Sequence, residues 1–159
     1  SLGAKNINEA ISKKWDKIVN DKDIRLFWAT GKDNFEQETY SMRNFGSTVV
    51  KPYFDNAADL MAAVDLVICR AGASTISELI ELEKPAILIP YDFVGQKENA
   101  DVLEYADAAK IFSNEEVDKA LEEALELVKQ DSILGFMSSN AKTLKKGNAA
   151  NIILKEMEI

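Results

Sequence analysis

Apolar residues at positions 7, 10, 11, 15, 18 and 19 recur at helical spacing and predict a helix over 6–19. "IRLFWA" (24–29) predicts a strand that ends at Thr30-Gly31. Residues 34–45 read as a helix closed by Gly46. "STVVKPYF" (47–54) reads as a short strand broken by Pro52, and "NAADLMAAV" (56–64) as a short helix. "DLVIC" (65–69) is a continuous apolar run, the mark of a strand buried on both faces. A helix follows from about Thr75 to Leu82, then the strand "AILIP" (86–90). Residues 96–106 are helical in pattern and 108–112 form a last short strand. The segments 115–130 and 133–157 read as mostly helix, interrupted near Gly135 and Gly147.

Strands alternating with helices at this pace imply βαβ units, a parallel sheet and an α/β, Rossmann-like class. At 159 residues the chain fits one domain, with no internal repeat or linker. Its start is unusual. "SLGAKNIN" is a small-residue turn leading straight into a helix, where a doubly wound domain has a strand before such a turn. Five strands are legible where six are usual, and the absent one is central. Ligands of such sheets bind outside the carboxyl ends of the strands. The loops to read are therefore Thr30-Gly31-Lys32, Pro52 to Asp55, Cys69 to Thr75, and Pro90 to Asn99.

Charge narrows the partners. The net charge of −8 and short "KTLKK" cluster (142–146) give no basis for counterion-release binding to nucleic acid. No run approaches the ~18 apolar residues of a spanning helix, and no signal peptide is visible. Cys69 is the single cysteine, so no internal disulfide can form, and it reads as a buried small hydrophobe. The chain has no histidine, which removes the commonest general base and argues against a zinc site. Asp21-Lys22-Asp23 precedes a strand, on the wrong edge for a metal pair, and reads as a turn; Trp15 and Trp28 read as core.

The chemistry concentrates in "CRAGASTISE" (69–78). Gly72 permits close backbone approach and a positive φ, and Ala71, Ala73 and Ser74 keep the turn slim. A helix N-terminus follows, suited to a phosphate. Glu78, one turn in, can accept from both hydroxyls of a ribose. The same spacing, Thr75-Ile-Ser-Glu78, is also a capping-box pattern in which Glu78 only reaches back to its own helix start. "SLGA" (1–4) is a second small turn at a helix start. Gln96 and Asn99 can bind sugar hydroxyls or cap and solvate their helix.

The segments "SLGAKNIN", "TGK" (30–32), "DLVICRAGASTISEL" (65–79), "KPAILIPY" (84–91) and Gln96-x-x-Asn99-Ala100 together resemble the carboxy-terminal half of the MurG family. These bacterial glycosyltransferases move N-acetylglucosamine from its UDP donor to lipid I, forming lipid II in peptidoglycan synthesis. The resemblance covers the whole chain. It implies that residues 1–159 are the donor-binding, carboxy-terminal domain of a two-domain GT-B enzyme, here lacking its first strand and its amino-terminal acceptor domain. It implies diphosphate contacts at Ser1, Gly3 and Ala4 and at Gly72, Ala73, Ser74 and Thr75. Ribose falls to Glu78, uracil to the backbone of Tyr53 and Phe54, and the sugar hydroxyls to Gln96. It implies no cofactor and no metal. The acceptor site, catalytic base and membrane contact belong to the absent half, so the fragment alone is expected to be an inactive part of an inverting hexosyltransferase. The full-length protein would be cytoplasmic, peripheral on the inner face of the membrane, and would serve cell-wall biogenesis, shape and division.

The chain departs from the family pattern at Gly95, where a second polar residue is usual, and at Trp28-Ala29, where His-Gln is frequent. Three rivals remain at this level. One is a noncatalytic nucleotide-sugar-binding subunit that needs a separate acceptor-domain partner. Another is a related UDP-sugar transferase with another lipid acceptor. The third is a nicotinamide oxidoreductase, disfavoured because G-x-G-x-x-G is missing.

Overall fold

The computed structural model describes residues 4–32, 46–92 and 95–145. The helix expected over 34–45, the phosphate contacts expected at Ser1 and Gly3, and the chain after 145 lie outside these residues. Along the chain come α1 (Lys5–Lys13), α2 (Trp15–Asn20), β1 (Leu26–Ala29), β2 (Thr48–Lys51), α3 (Ala57–Ala63), β3 (Val67–Cys69), α4 (Ala73–Glu81) and β4 (Ala86–Leu88). Then follow α5 (Gln96–Tyr105), β5 (Ala109–Ile111), a 3₁₀ turn (Asn114–Glu116), α6 (Val117–Leu127) and α7 (Asp131–Thr143). The helix expected over 6–19 is two helices, because the backbone turns at Lys14.

Every strand pair is parallel. β1 pairs with β2, and β3, β4 and β5 form a second sheet in that order. Central β4 alternates between two cores. Ile87 and Ile89 join Ile7, Ile11, Trp28, Leu121 and Leu125 on one side. Ala86 and Leu88 join Ile76, Leu79, Ala100 and Leu103 on the other. Helices therefore cover both faces, as in a doubly wound domain.

The two sheets do not join. Between β1 and β3 lies a cleft of about 540 Å³, lined by Leu26 to Ala29 on one flank and Val67 to Arg70 on the other. Ile7, Asn8 and Ile11 of α1 and Leu60 and Met61 of α3 also face it. The cleft lies at the position where the sequence reading expects a further, central strand. The continuous apolar run 65–69 predicts a strand buried on both faces, yet beside the cleft Val67, Ile68 and Cys69 are each only half-buried. β4 is the fully buried strand. The cleft also explains α3, whose sequence AADLMAA buries no residue. The apolar face of α3 rests over unfilled space.

Backbone pairing on the flanks follows strand alternation. Val67 N–H donates to Pro85 O and Cys69 O accepts from Ile89 N, so the backbone of both residues faces β4. Thr30 N donates to Lys51 O, which turns Thr30 and Trp28 toward β2. The intervening Phe27, Ala29 and Ile68 then turn their backbone groups toward the cleft.

Candidate functional site

The carboxyl ends of the strands gather the start of α1 and four loops. Asn8 fixes the first contact. Its Nδ2 donates to Thr30 O at 2.8 Å, while its Oδ1 accepts from Trp28 Nε1 at 2.9 Å. Both Asn8 and Thr30 are buried. The amide thus pins α1 to the end of β1 and satisfies a buried indole. Gly31, at φ +83°, turns the chain away and donates its N–H to Pro52 O at 3.0 Å.

After β3, helix α4 begins earlier than the sequence suggests, at Ala73, with Gly72 as its N-cap. This register dissolves the capping box. Thr75 is the third helical residue, not the cap, and no side chain caps the helix. The first intrahelical bond runs from Ile76 N to Gly72 O at 2.9 Å, leaving the N–H groups of Ala73, Ser74 and Thr75 ahead of the ladder. Ala73 and Ser74 are exposed and Thr75 is half-buried. The Glu78 side chain is exposed, and among the described residues its carboxylate has no hydrogen-bond or ion-pair partner, while its backbone oxygen accepts from Leu82 N at 2.9 Å. Gly72 sits at φ −65°, ψ 146°, so the expected positive φ is not used there. A Cβ at 72 would meet Thr75 Oγ1 at 3.8 Å, an ordinary contact. The chain itself therefore places no demand for glycine at this position.

α5 supplies the next wall. Gly95 enters it at φ +63°, a left-handed position that favours glycine. Gln96 Oε1 accepts from Tyr91 N at 3.2 Å, and Asn99 Nδ2 donates to Ala71 O at 3.2 Å. Asn99 thus ties α5 to the Gly72 loop. Across the cleft mouth, Tyr53 is 60% exposed and Phe54 half-buried, with Lys51 Nζ 5.5 Å from the Phe54 ring. Tyr53, Phe54, Ala4 and Arg70 line the same cleft. Tyr53 and Phe54 follow β2 and line the cleft, whereas the Gly72–Thr75 turn, Glu78 and Gln96 follow β3 and β4 and do not line it.

Sequence reading missed one residue at these strand ends. The Arg70 guanidinium, half-buried directly after β3, stacks 4.0 Å from the Tyr91 ring centroid. It donates to Ile89 O at 2.7 Å, to Asn114 Oδ1 at 2.6 Å and to Asn6 Oδ1. Asn114 Nδ2 in turn donates to Pro90 O at 3.0 Å. The available signal was a lone long cation inside an otherwise small-residue turn.

Burial, with a smaller push from the Glu78 charge, raises the Cys69 thiol to about 12. It is an inert neighbour of the site. Asp21 behaves as the expected turn, its Oδ1 accepting from Asp23 N at 3.0 Å and its Oδ2 pairing with Lys129. Among the described residues no three His, Cys, Asp or Glu gather as a metal set, and no helix is long and apolar enough to cross a membrane.

Residues 1–156 match the glycosyltransferase family 28 C-terminal domain. The chain belongs to that family. This family 28 domain is 48% identical, over its full length, to a protein of Fusobacterium nucleatum subsp. nucleatum, of which it covers 45%. It is 36% identical to a protein of Acetivibrio thermocellus, covering 96% of this chain and 43% of that protein. Both relatives are named UDP-N-acetylglucosamine–N-acetylmuramyl-(pentapeptide) pyrophosphoryl-undecaprenol N-acetylglucosamine transferase. The domain spans about half the length of these curated relatives. Its fold matches the crystal structure of Acinetobacter baumannii MurG with a TM-score of 0.83 at 24% identity, covering 99% of this chain and 47% of that one. The α/β, Rossmann-like, GT-B carboxy-terminal fold expected from the sequence is therefore the fold observed.

Proposed function

We propose that this family 28 domain is the donor half of an inverting glycosyltransferase and binds UDP-N-acetylglucosamine at the carboxyl edge of its sheet. The carrying observation is the start of α4: an uncapped helix N-terminus beside a bare turn, with the unengaged Glu78 carboxylate one turn on. The free N–H groups of residues 73–75 suit a diphosphate, and Glu78 stands where a ribose diol would follow. Tyr53 and Phe54 offer backbone to uracil, and Gln96 an amide to the sugar. Ser1 and Gly3 complete the phosphate contacts in this reading.

The chemistry follows from the charge. Displacement at the anomeric carbon forms a bond from the acceptor hydroxyl and breaks the bond to UDP, which leaves with the electron pair. Peptide N–H groups aimed at the leaving diphosphate stabilise that charge as it develops. The acceptor, lipid I in this reading, and its base are supplied by a second domain, in keeping with relatives about twice as long. That domain would carry the peripheral contact with the inner face of the membrane. The β1–β3 cleft supports a further strand in the whole protein, inserted parallel between the two sheets and leading into the turn before α1.

Calorimetry of this chain against UDP-N-acetylglucosamine, UDP-glucose and NAD tests the reading. Binding of the first, weaker binding of the second and none of the third are expected. Preference for NAD, or no binding of any UDP ligand, would overturn it.

A further inference from the structure

Among the described residues no carboxylate pairs directly with the Arg70 cation. Its hydrogen-bond acceptors are two amide oxygens, of Asn6 and Asn114, and the peptide oxygen of Ile89; its face lies on Tyr91. Each partner comes from a different place: Asn6 from the first turn of α1, Ile89 and Tyr91 from the loop after β4, and Asn114 from the turn after β5. The two amides also bond to each other, Asn6 Nδ2 to Asn114 Oδ1 at 3.1 Å. Asn114 continues to Pro90 O at 3.0 Å and to Asp92 Oδ2 at 3.4 Å. One side chain therefore joins the ends of β3, β4 and β5 to the start of α1. The loop it holds ends in the Gln96 contact, since Tyr91 N donates to Gln96 Oε1.

We propose that Arg70 is a positioning residue that sets sugar specificity, by fixing the 89–92 loop and through it the reach of Gln96. It acts without touching the donor, and the inference rests on the donor-site reading above. The fork of the guanidinium is essential. A planar group with several fixed N–H directions can serve three acceptors and stack on a ring at once, whereas an ammonium is a point charge on a flexible stem. Arg70→Lys keeps the charge and loses the geometry. If Arg70 worked only through its field on a diphosphate, lysine would substitute; as a clamp, lysine fails like glutamine. Asn114→Ala provides an independent variant, because it removes one acceptor of Arg70 and the tie to Pro90 without altering charge.

The readout is discrimination between UDP-N-acetylglucosamine and its 4-epimer, UDP-N-acetylgalactosamine, measured by calorimetry on the wild-type chain and on Arg70→Lys, Arg70→Gln and Asn114→Ala. Each protein's melting temperature is taken alongside. The wild type should prefer the gluco sugar by about ten-fold or more, the scale of a hydroxyl read by a positioned polar group. The three variants should fall below about three-fold preference while still binding both donors. General loosening of the fold would instead lower both affinities together and leave the ratio intact. Wild-type-like discrimination in Arg70→Lys, or in Asn114→Ala should both arginine variants fail to fold, would overturn the clamp while leaving the donor reading in place. A wild type that binds no UDP-sugar would overturn both, and one that binds without distinguishing the epimers would overturn the clamp alone.

Discussion

Glu78 is a surface carboxylate one turn into α4 with no hydrogen-bond or ion-pair partner among the described residues. The sequence allowed two uses for it, a ribose contact or a capping box, because spacing alone does not fix where a helix begins. The start of α4 at Ala73 removes the second use. Glu78→Gln should accordingly weaken UDP binding by about 1.5–3 kcal/mol, the scale of a charge-assisted hydrogen bond. Its melting temperature should stay at the wild-type value; a fall in melting with unchanged affinity would return Glu78 to a structural role. Gly72→Ala makes the companion case. Its ordinary φ and open Cβ position predict normal folding. If a ligand's phosphate approaches that backbone, the added methyl lowers UDP affinity with no loss of stability. Arg70 was hidden at this scale for a plain reason: its partners Asn6, Ile89 and Asn114 are 64, 19 and 44 residues away, and no local pattern announces them.

Among elements, periodicity located the described strands and the regions of the described α-helices, but ran α1 and α2 into one and erred where a boundary depends on the backbone alone. Gly135 was read as an interruption, yet α7 runs unbroken from Asp131 to Thr143. A glycine there costs helix stability without a compensating contact, since nothing lies within 4 Å of its missing Cβ. Gly135→Ala should raise stability by roughly 0.5–1 kcal/mol in chemical denaturation. Gly95→Ala should do the reverse. Its left-handed φ of +63° imposes a cost of about 1–2 kcal/mol on an L-residue with a Cβ. That strain sits at the entrance to α5, so the adjoining Gln96 and its contact with Tyr91 N should feel it first. The depth of β3 was misjudged because a continuous apolar run reports what a strand is built to meet, not whether the neighbour is there.

For the whole molecule, the α/β class and the parallel sense of the described strand pairs were legible from the alternation of elements. The division into a two-stranded and a three-stranded sheet was not, because pairing depends on which edges actually touch. An extended β-forming segment of about five residues, joined ahead of Ser1 through Gly-Gly, should enter the cleft. It should raise the melting temperature and strengthen UDP binding together. Burying the half-exposed flanks of β1 and β3 supplies the stability; fixing the turn before α1 supplies the affinity. An extended chain that melts and binds as before would mean the cleft is not a strand site. Without its second domain the chain should show no transfer to a lipid I analogue, and measurable turnover would remove that part of the proposal.

The alternating backbone of the cleft flanks can be read by deuterium. Amides of Trp28, Thr30 and Val67 face a neighbouring strand, whereas those of Phe27, Ala29 and Ile68 face the cleft. Hydrogen exchange followed by NMR should therefore write a two-residue rhythm along each flank, slow then fast. Such a rhythm is a ruler of register: an inserted strand in the correct frame would slow those three amides selectively and leave their already protected neighbours unchanged.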